Sequence, residues 1–326
     1  MTLAADLTAV LTAHDTALAD AHADVERLRG ALSDSTLEAQ RWQDTATTLT
    51  AERDDLLARL ANLGDGNATA TRTLFGACPT NPGGESLAAA QRVIDKFGPG
   101  AAVRQFRSAL ATPHTPADAS IVHTSYKPDL DDVIAGRLDA QIRAVAKATP
   151  AGHIIEIWHE ADSKVRSGSI DKAKVIAAKN RFYDVAKDAN PAALVATTYT
   201  GWLFEPKSKL DPEEWAGVKA DLLGVDLDGI QSWPYPDYTD EIQRVIDAAK
   251  RWGVPGWCVP ELGMDIQPAD PDGTARADWI RKYAALCNDA GARYVAWFDY
   301  AMSAARTPGY QLHTPAEVAA WKALII

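Results

Sequence analysis

The stretch "HIIEIWHEAD", residues 153–162, joins an apolar run to an ionisable one. Its isoleucines are β-branched residues typical of a buried strand, whereas its end carries His159, Glu160 and Asp162. A core strand that simply runs out into solvent would explain this ending, and so would a strand that ends in a functional site. The arrangement of the remaining chain distinguishes between these two interpretations.

The same theme, a short apolar run followed by a longer segment of helical period, occurs eight times after residue 70. The runs are "TLFGAC" (73–78), "AVRQFRS" (102–108), "SIVHTSY" (120–126), "HIIEIWHE" (153–160), "ALVATTY" (193–199), "LDGIQSWPY" (227–235), "GWCVPELG" (256–263) and "RYVAWFDY" (293–300). Strands that alternate with helices of this length predict parallel βαβ units. Eight such units in about 255 residues match the size of a (β/α)8 TIM barrel.

A doubly wound open sheet is the alternative fold. It would normally show a glycine-rich turn after the first strand, but "CPTNPGGES" (78–86) has neither the G-x-G-x-x-G spacing nor that of a P-loop. The sequence therefore favours the barrel and gives no support for nucleotide binding.

The first 63 residues have a different character, with no proline and one glycine. Heptads counted from Ala4 place apolar residues at positions a and d as far as Leu63, with His14, Ser35 and Arg53 as the exceptions. This pattern predicts an α-helical parallel coiled coil about 90 Å long, with three strands favoured over two because leucine recurs at a. A single helix folded back on the body is the alternative.

The polar run "GDGNATA" (64–70) follows the heptads and predicts a short linker. We therefore expect an oligomerisation stalk over residues 1–63 and a barrel over residues 71–326.

Composition limits the partners of this chain. It has 326 residues, 47% of them hydrophobic and 24% charged, with a formal net charge of −11. Because no cluster of lysine and arginine is visible, nucleic acid and anionic membranes are poor partners. No apolar run approaches the roughly 18 residues that span a bilayer, and the N-terminus lacks the pattern of a signal peptide.

Cysteine and histidine usage argues against a metal site. Cys78, Cys258 and Cys287 are odd in number and lie in apolar contexts, which favours buried free thiols in a reducing cytoplasm. A metal-dependent barrel hydrolase would normally carry His-x-His on its first strand, and His123 with His159 makes a poor ligand set. We expect neither a metal nor another cofactor.

Two glutamates end strands that should face the same bowl. In a TIM barrel the carboxyl ends of the strands carry the site, and Glu160 ends the fourth run while Glu261, in "VPELGMD" (259–265), ends the seventh. Burial and repulsion can keep one carboxyl protonated while the other stays ionised. That division of labour is what glycoside cleavage requires.

These residues resemble a family. "EIWHE" (156–160) is similar to the E-x-W-N-E strand-four motif of the clan A glycoside hydrolases, with histidine before the glutamate as in family 26 mannanases. "PELG" (260–263) resembles the clan's nucleophile segment, and Trp297 resembles the aromatic residue that closes its subsite from strand eight. The resemblance implies a retaining mechanism, with Glu160 as acid/base and Glu261 as nucleophile about 5 to 5.5 Å apart.

Three further polar groups are candidates for this site. By the same resemblance His159 would bind a sugar hydroxyl or orient the nucleophile, and Tyr235 would lie against the nucleophile from strand six. Arg107, at the end of strand two, is predicted to keep Glu261 ionised, since a nearby cation lowers a carboxyl pKa. The structural alternatives are a buried histidine for His159, a packing aromatic for Tyr235 and a surface ion pair for Arg107.

Four tryptophans, Trp158, Trp202, Trp233 and Trp297, fall at or just after predicted carboxyl ends of strands. Aromatic faces stack on the apolar C–H face of a pyranose, so several of them in one bowl suit a saccharide. Trp158 is the weakest candidate because it is expected to pack beneath Glu160.

The overall plan predicts a retaining glycosidase that acts on a cell-surface polysaccharide. Ala161 and Asp162 depart from the residues that usually follow the acid in clan A, so an inactive or weak glycan-binding barrel is the alternative. The stalk and the missing signal peptide resemble a minor tail protein of a bacteriophage. That setting implies a trimer in the virion tail, with other tail proteins as partners; a cytoplasmic location is the alternative.

Overall fold

The computed structural model describes residues 12, 15–23, 72–78, 86–208, 210–229, 233–300 and 309–325. Contacts divide the chain into two units, Met1–Ala70 and Thr71–Ile326. Residues 15–23 are helical. Most of the predicted coiled coil over residues 4–63 and the whole linker over residues 64–70 lie outside the described residues, so both stay predictions.

The second unit is built on a closed barrel of eight parallel strands in sequence order. The strands are β1 (Leu74–Ala77), β2 (Ala102–Arg107), β3 (Val122–Tyr126), β4 (Ile154–Ile157), β5 (Leu194–Thr200), β6 (Leu222–Gly229), β7 (Gly256–Met264) and β8 (Tyr294–Trp297). Closure is made by β1 and β8, where Leu74 pairs with Tyr294 and Ala77 with Trp297. The predicted TIM barrel is confirmed.

Helices follow every strand of the barrel except β2, after which the described chain reaches β3 without a helix. The helices are Leu87–Phe97, Leu130–Ile134, Asp139–Ala148, Ala161–Arg166, Lys172–Ala189, Gly201–Phe204, Thr239–Trp252, Thr274–Asp289 and Pro315–Lys322, with a 3-10 turn at Pro212–Trp215. Several begin at side-chain caps: the Ser86 hydroxyl accepts from the Ala89 amide, and Thr314 forms a capping box with Glu317. Each such cap contributes about 1 kcal/mol to helix stability.

The strands separate two cores because successive side chains point to opposite faces. Outward residues such as Val103, Ile155 and Val259 pack against the helices. Inward residues form a small apolar floor inside the barrel, made of Ala102, Ile121, Ile154, Ala196, Leu222, Cys258, Tyr294 and Ala296. Two residues further along their strands, Arg104, His123 and Glu156 therefore face the barrel interior, where all three are buried.

Strand β6 corrects the predicted position of the sixth strand. The strand covers Leu222–Gly229, five residues before the predicted run at 227–235. The apolar pattern is interrupted there by Gly224 and Asp226. A Cβ at Gly224 would lie 2.5 Å from Thr198 Oγ1 and 3.0 Å from Pro260 Cγ, so the close approach of β5 and β7 requires glycine.

A β-bulge in β7 aims Glu261 into the barrel. Residues 258 to 261 of β7 span three steps, whereas their partners Gly224 and Asp226 span two; the register with β8 shifts in the same segment. Cys258 faces inward. Without the extra residue, regular alternation along β7 would put residue 261 on the outward face. The bulge, at Pro260, which has no amide hydrogen to donate, turns Glu261 inward.

Three sequence expectations concern the cysteines, membrane-spanning helices and metal ligands. Cys78, Cys258 and Cys287 are buried free thiols. None of the helices in the described part of the chain is long and apolar enough to cross a membrane. Within the same residues, no group of three or more histidine, cysteine or acidic side chains is placed to hold a metal ion.

Candidate active site

Glu160 sits in a tight turn after β4. Trp158 and Glu160 both have φ near 51°, in the left-handed region that non-glycine residues rarely adopt. The turn is fixed on both sides, since the Trp158 amide donates to the Tyr126 carbonyl at 2.8 Å and the Glu160 amide to the Thr198 carbonyl at 3.0 Å. Backbone strain of this kind clusters at functional sites, and here it points Glu160 away from the path of a regular strand.

The surroundings of Glu160 favour its protonated form. Burial, followed by the charges of Asp228 and Asp162, raises its pKa to about 7, against which Arg104 acts in the opposite direction. A carboxyl with this pKa holds a proton over much of the neutral range. It can therefore serve as a general acid.

Glu261, on β7, is buried near two other site groups. Its Oε1 lies 4.0 Å from the Arg104 guanidinium and 4.0 Å from His159 Nε2. Burial and the charge of Glu160 raise the pKa of Glu261, whereas Arg104 lowers it. When Glu160 holds its proton, its repulsion is absent and Glu261 ionises more readily. The ionisation of Glu261 therefore depends on the protonation state of Glu160.

The arginine beside Glu261 is Arg104, which corrects the prediction for Arg107. Arg107 lies three residues further along β2, on the opposite face of the strand, and donates to the Thr112 carbonyl at 2.8 Å. Arg104 points inward and donates to Glu156 Oε1 at 2.7 Å. The Glu156 carboxylate also lies 3.1 Å from His123 Nε2, and its pKa is held well below the usual range, with Arg104 as the strongest lowering charge.

His159 lies next to Glu261 as a neutral ring. Burial and the charge of Arg104 lower its pKa to about 3. Its Nδ1 lies 3.1 Å from the Ser125 hydroxyl, and Phe106 packs against the ring at 4.8 Å between centroids. At 4.0 Å from Glu261 the other nitrogen makes no hydrogen bond, but it is placed to orient the carboxylate or to meet a sugar hydroxyl, as the sequence suggested.

Two acids on β6 belong to the site and were not predicted. Asp226 pairs in register with Glu261, is 1% exposed, and neither of its carboxyl oxygens has a hydrogen-bond partner among the described residues. Asp228, two residues on, shares its face of the strand. Burial raises the pKa of Asp226 well above its usual range. Asp228 is exposed to solvent, and partial desolvation by the surrounding protein raises its pKa as well.

A cleft of about 610 Å³ opens beside these acids, above the carboxyl ends of β5 and β6. Its walls come from residues 200–207, 226–228 and 236–241, together with Arg166. Trp202 is 49% exposed and stacks under the Arg166 guanidinium at 4.2 Å. Of the four tryptophans that the sequence suggested, Trp202 is the one that lines this cleft, and the cleft is large enough for a ligand.

Trp297 does not face the bowl. It is 0% exposed, its indole nitrogen donates to the Tyr310 carbonyl, and its ring packs edge-on against Trp279 and Trp321 from the surrounding helices. The reason is alternation: Tyr294 faces the barrel floor, so Trp297 faces outward. Phe298 follows β8 directly and is half-buried; continuing the same alternation assigns it to the inward face.

Tyr235 also departs from its predicted place. Because β6 ends at Gly229, Tyr235 lies in the following loop, where its hydroxyl donates to Asp270 at 2.9 Å. Trp233 packs edge-on against Tyr235 and is 52% exposed. Trp158 donates to the Pro128 carbonyl and packs against the core.

Comparisons with known proteins find similarity in the fold of the barrel. No family model and no curated protein matches the sequence. The barrel is similar to β-glucuronidase 2 of Bacteroides uniformis (TM-score 0.52, 14% identity, 78% of this chain and 35% of that one). A second β-glucuronidase structure from the same organism gives a TM-score of 0.50 at 14% identity, over 74% of this chain and 33% of that one.

A third solved structure is a subgroup I GH128 endo-β-1,3-glucanase from Amycolatopsis mediterranei, with a TM-score of 0.48 at 15% identity over 78% of this chain and 99% of that one. This chain spans about a third of the length of the two β-glucuronidase chains. Identities this low show a shared barrel fold alone.

Proposed function

We propose that the barrel is a retaining glycoside hydrolase that cleaves a β-linked polysaccharide, with Glu160 as acid/base and Glu261 as nucleophile. The observation that carries the proposal is electrostatic. The charge of Glu160 raises the pKa of Glu261, and burial with the charges of Asp228 and Asp162 raises the pKa of Glu160 itself to about 7. An acid that is protonated near neutral pH, and whose charge acts on the ionisation of a second carboxyl, is the pairing that glycoside cleavage uses.

In the first step, Glu261 attacks the anomeric carbon while Glu160 gives its proton to the departing glycosidic oxygen. This forms a glycosyl ester on Glu261 and leaves Glu160 ionised. In the second step, Glu160 takes a proton from water, the hydroxide oxygen attacks the anomeric carbon, and the Glu261 carboxylate is released. Both carboxyls return to their starting states.

Arg104 and His159 support the nucleophile in this proposal. Arg104 is the cation that lowers the Glu261 pKa, and its orientation is fixed by its 2.7 Å bond to Glu156. His159 stays neutral, so its role in this proposal is to orient the Glu261 carboxylate or to meet a sugar hydroxyl rather than to supply charge. A buried charge held in one orientation costs little reorganisation during the reaction.

A screen of soluble β-linked polysaccharides and aryl β-glycosides tests the proposal. We expect Glu261→Ala to abolish turnover of every substrate. Glu160→Ala should lower turnover of polysaccharides by about 10²- to 10⁴-fold, yet retain activity on aryl glycosides whose leaving group needs no proton. Asp118→Asn, which removes an exposed acid from the opposite end of the barrel, is the matched control. Equal loss in both glutamate variants on aryl glycosides would contradict the assigned roles.

Binding without efficient cleavage is the second candidate function. The observation that favours it is the raised pKa of Glu261, since a protonated carboxyl is a poor nucleophile, together with a single nearby guanidinium that already bonds Glu156. If the unaltered protein holds a polysaccharide without cutting it, and both glutamate variants hold it equally well, the barrel is a receptor-binding module.

We propose a bacteriophage tail as the setting of this activity, with the barrel carried on an oligomeric stalk. The support is the heptad pattern over residues 4–63, which predicts that several barrels are presented together. In that setting the polysaccharide would lie on the surface of a bacterial host, and neighbouring tail proteins would be further partners.

A further inference from the structure

The cleft above β5 and β6, which Asp226 and Asp228 line but Glu160 and Glu261 do not, has an unusual charge. Six acidic residues line it, namely Glu205, Asp226, Asp228, Asp237, Asp240 and Glu241, against the two cations Arg166 and Lys207. Among the described residues, only Asp237 of these six has an ion-pair partner, Lys282, whose Nζ lies 2.9 Å away. A ligand that enters this cleft therefore meets an excess of carboxyl groups.

Asp226 is the most anomalous member of the set. A buried carboxyl normally has hydrogen-bond partners, because leaving its oxygens unsatisfied costs free energy. Asp226 is 1% exposed and both its oxygens lack a partner among the described residues, although it lines an open cleft. Such a group is poised to receive a donor from a ligand.

Asp228 offers a second acceptor on the same face. Residues i and i+2 of a strand lie about 6.6 Å apart on one side of a sheet, so the two carboxyls can approach a common ligand atom. The Asp228 side chain is exposed, so its carboxyl is open to a ligand in the cleft. Arg166 and Lys207, both exposed, do not neutralise it.

We propose that the cleft binds a sugar residue with a free amino group, and that its ammonium lies between Asp226 and Asp228. This inference rests on the proposed function and specifies its substrate class as a polysaccharide that contains unacetylated hexosamine. An ammonium supplies three donors and one positive charge, which fits two acceptors in a cleft of excess negative charge. Arg166 covers part of the Trp202 ring, and the exposed remainder can contact the apolar side of the sugar.

Other ligand classes fit less well. A uronic acid would bring a further carboxylate to six acidic residues, which repel it. A neutral sugar could accept or donate hydrogen bonds but would leave the repulsion among the carboxyls unrelieved. A metal ion would need a preformed cluster of ligands, and the described residues hold none.

Calorimetric titration of two oligosaccharides provides the test. The probes are the β-1,4-linked glucosamine tetramer and its fully N-acetylated counterpart, titrated at about pH 6 into the Glu261→Gln protein so that turnover does not interfere. We expect the amino form to bind at least about tenfold more tightly and to weaken as salt concentration rises. Asp228→Asn should remove about tenfold in affinity for the amino form and leave the acetylated form unchanged.

Asp226→Asn gives a second variant of the same kind, and Asp118→Asn should change neither affinity. Equal binding of the two tetramers, equal loss of both in Asp228→Asn, or no binding of either would each overturn the inference. A barrel that cleaves only neutral glycans overturns it too, while the proposed hydrolysis stands. A barrel that binds the amino tetramer through Asp228 but cleaves no glycan supports the inference and contradicts the hydrolysis.

Discussion

At the scale of single residues, the proposed hydrolysis requires that Glu160 hold a proton. Its pKa of about 7 results from burial and from the charges of Asp228 and Asp162. Because the acid must be protonated, we expect activity to fall as the pH rises through about 7. The Asp162 carboxylate is fixed in place by the Thr200 hydroxyl at 2.5 Å and the Thr200 amide at 3.2 Å, so its effect on Glu160 is a property of the folded turn.

Asp162→Asn should move the alkaline limb of the kcat/KM profile to lower pH. The substitution removes a negative charge that raises the Glu160 pKa, so Glu160 loses its proton at lower pH. Asp228→Asn should move the limb further in the same direction, since Asp228 has a larger effect than Asp162 on the pKa of Glu160. The profile is measured on an unactivated substrate, with Asp118→Asn as a control that should not move it. An unchanged limb in both variants would show that Glu160 is not the group that titrates.

Sequence patterns located the two glutamates but misplaced several of their neighbours. Glu160 and Glu261 follow from the rule that strand ends carry the site of a TIM barrel. The choice between Arg104 and Arg107, and between Trp297 and Phe298, depends on which face of a strand is inward. Alternation from an apolar floor residue such as Ala102 or Tyr294 would have indicated both correctly. Assigning each strand residue to the inward or the outward face is therefore the step that predicts these neighbours from the sequence.

At the scale of elements, the segment from Gly224 to Asp226 and the bulge at Pro260 place the site acids together. Neither feature follows from the two-residue alternation of apolar and polar side chains in a strand. In β6 glycine and aspartate interrupt the apolar run, and in β7 the extra residue reverses the alternation. For this reason the sixth strand was predicted five residues late, and Asp226 and Asp228 were missed.

Gly224→Ala should destabilise the barrel by about 1 to 3 kcal/mol, as expected for overpacking. Its Cβ would lie 2.5 Å from Thr198 Oγ1, and the Thr198 carbonyl accepts from the Glu160 amide, so activity should fall as well. Urea unfolding measures the first effect. The double variant Gly224→Ala/Thr198→Ala should recover part of the loss.

Gly217→Ala is the control for that series, since a Cβ there meets nothing within 4 Å. If Gly224→Ala is as stable as Gly217→Ala, the close packing of β5, β6 and β7 is not what requires the glycine.

At the scale of the whole molecule, the barrel architecture was predictable and the stalk remains to be measured. Eight repeats of strand and helix leave few alternatives to a closed parallel barrel, whereas the heptads over residues 4–63 concern contacts between chains. Sedimentation equilibrium of the full chain and of residues 71–326 distinguishes the possibilities. We expect a trimer for the full chain and a monomer for the barrel alone. Two monomers would show that the heptad interpretation is wrong.

The central claim, a double displacement by Glu160 and Glu261, is tested most directly by the anomeric configuration of the first product. Proton nuclear magnetic resonance, recorded during the first minutes of hydrolysis of a β-linked substrate from the screen, distinguishes the two anomers before they equilibrate. The account predicts the β-anomer, because attack by Glu261 and then by water inverts the anomeric carbon twice. Initial release of the α-anomer would contradict it, since a single inversion leaves no role for Glu261 as a nucleophile.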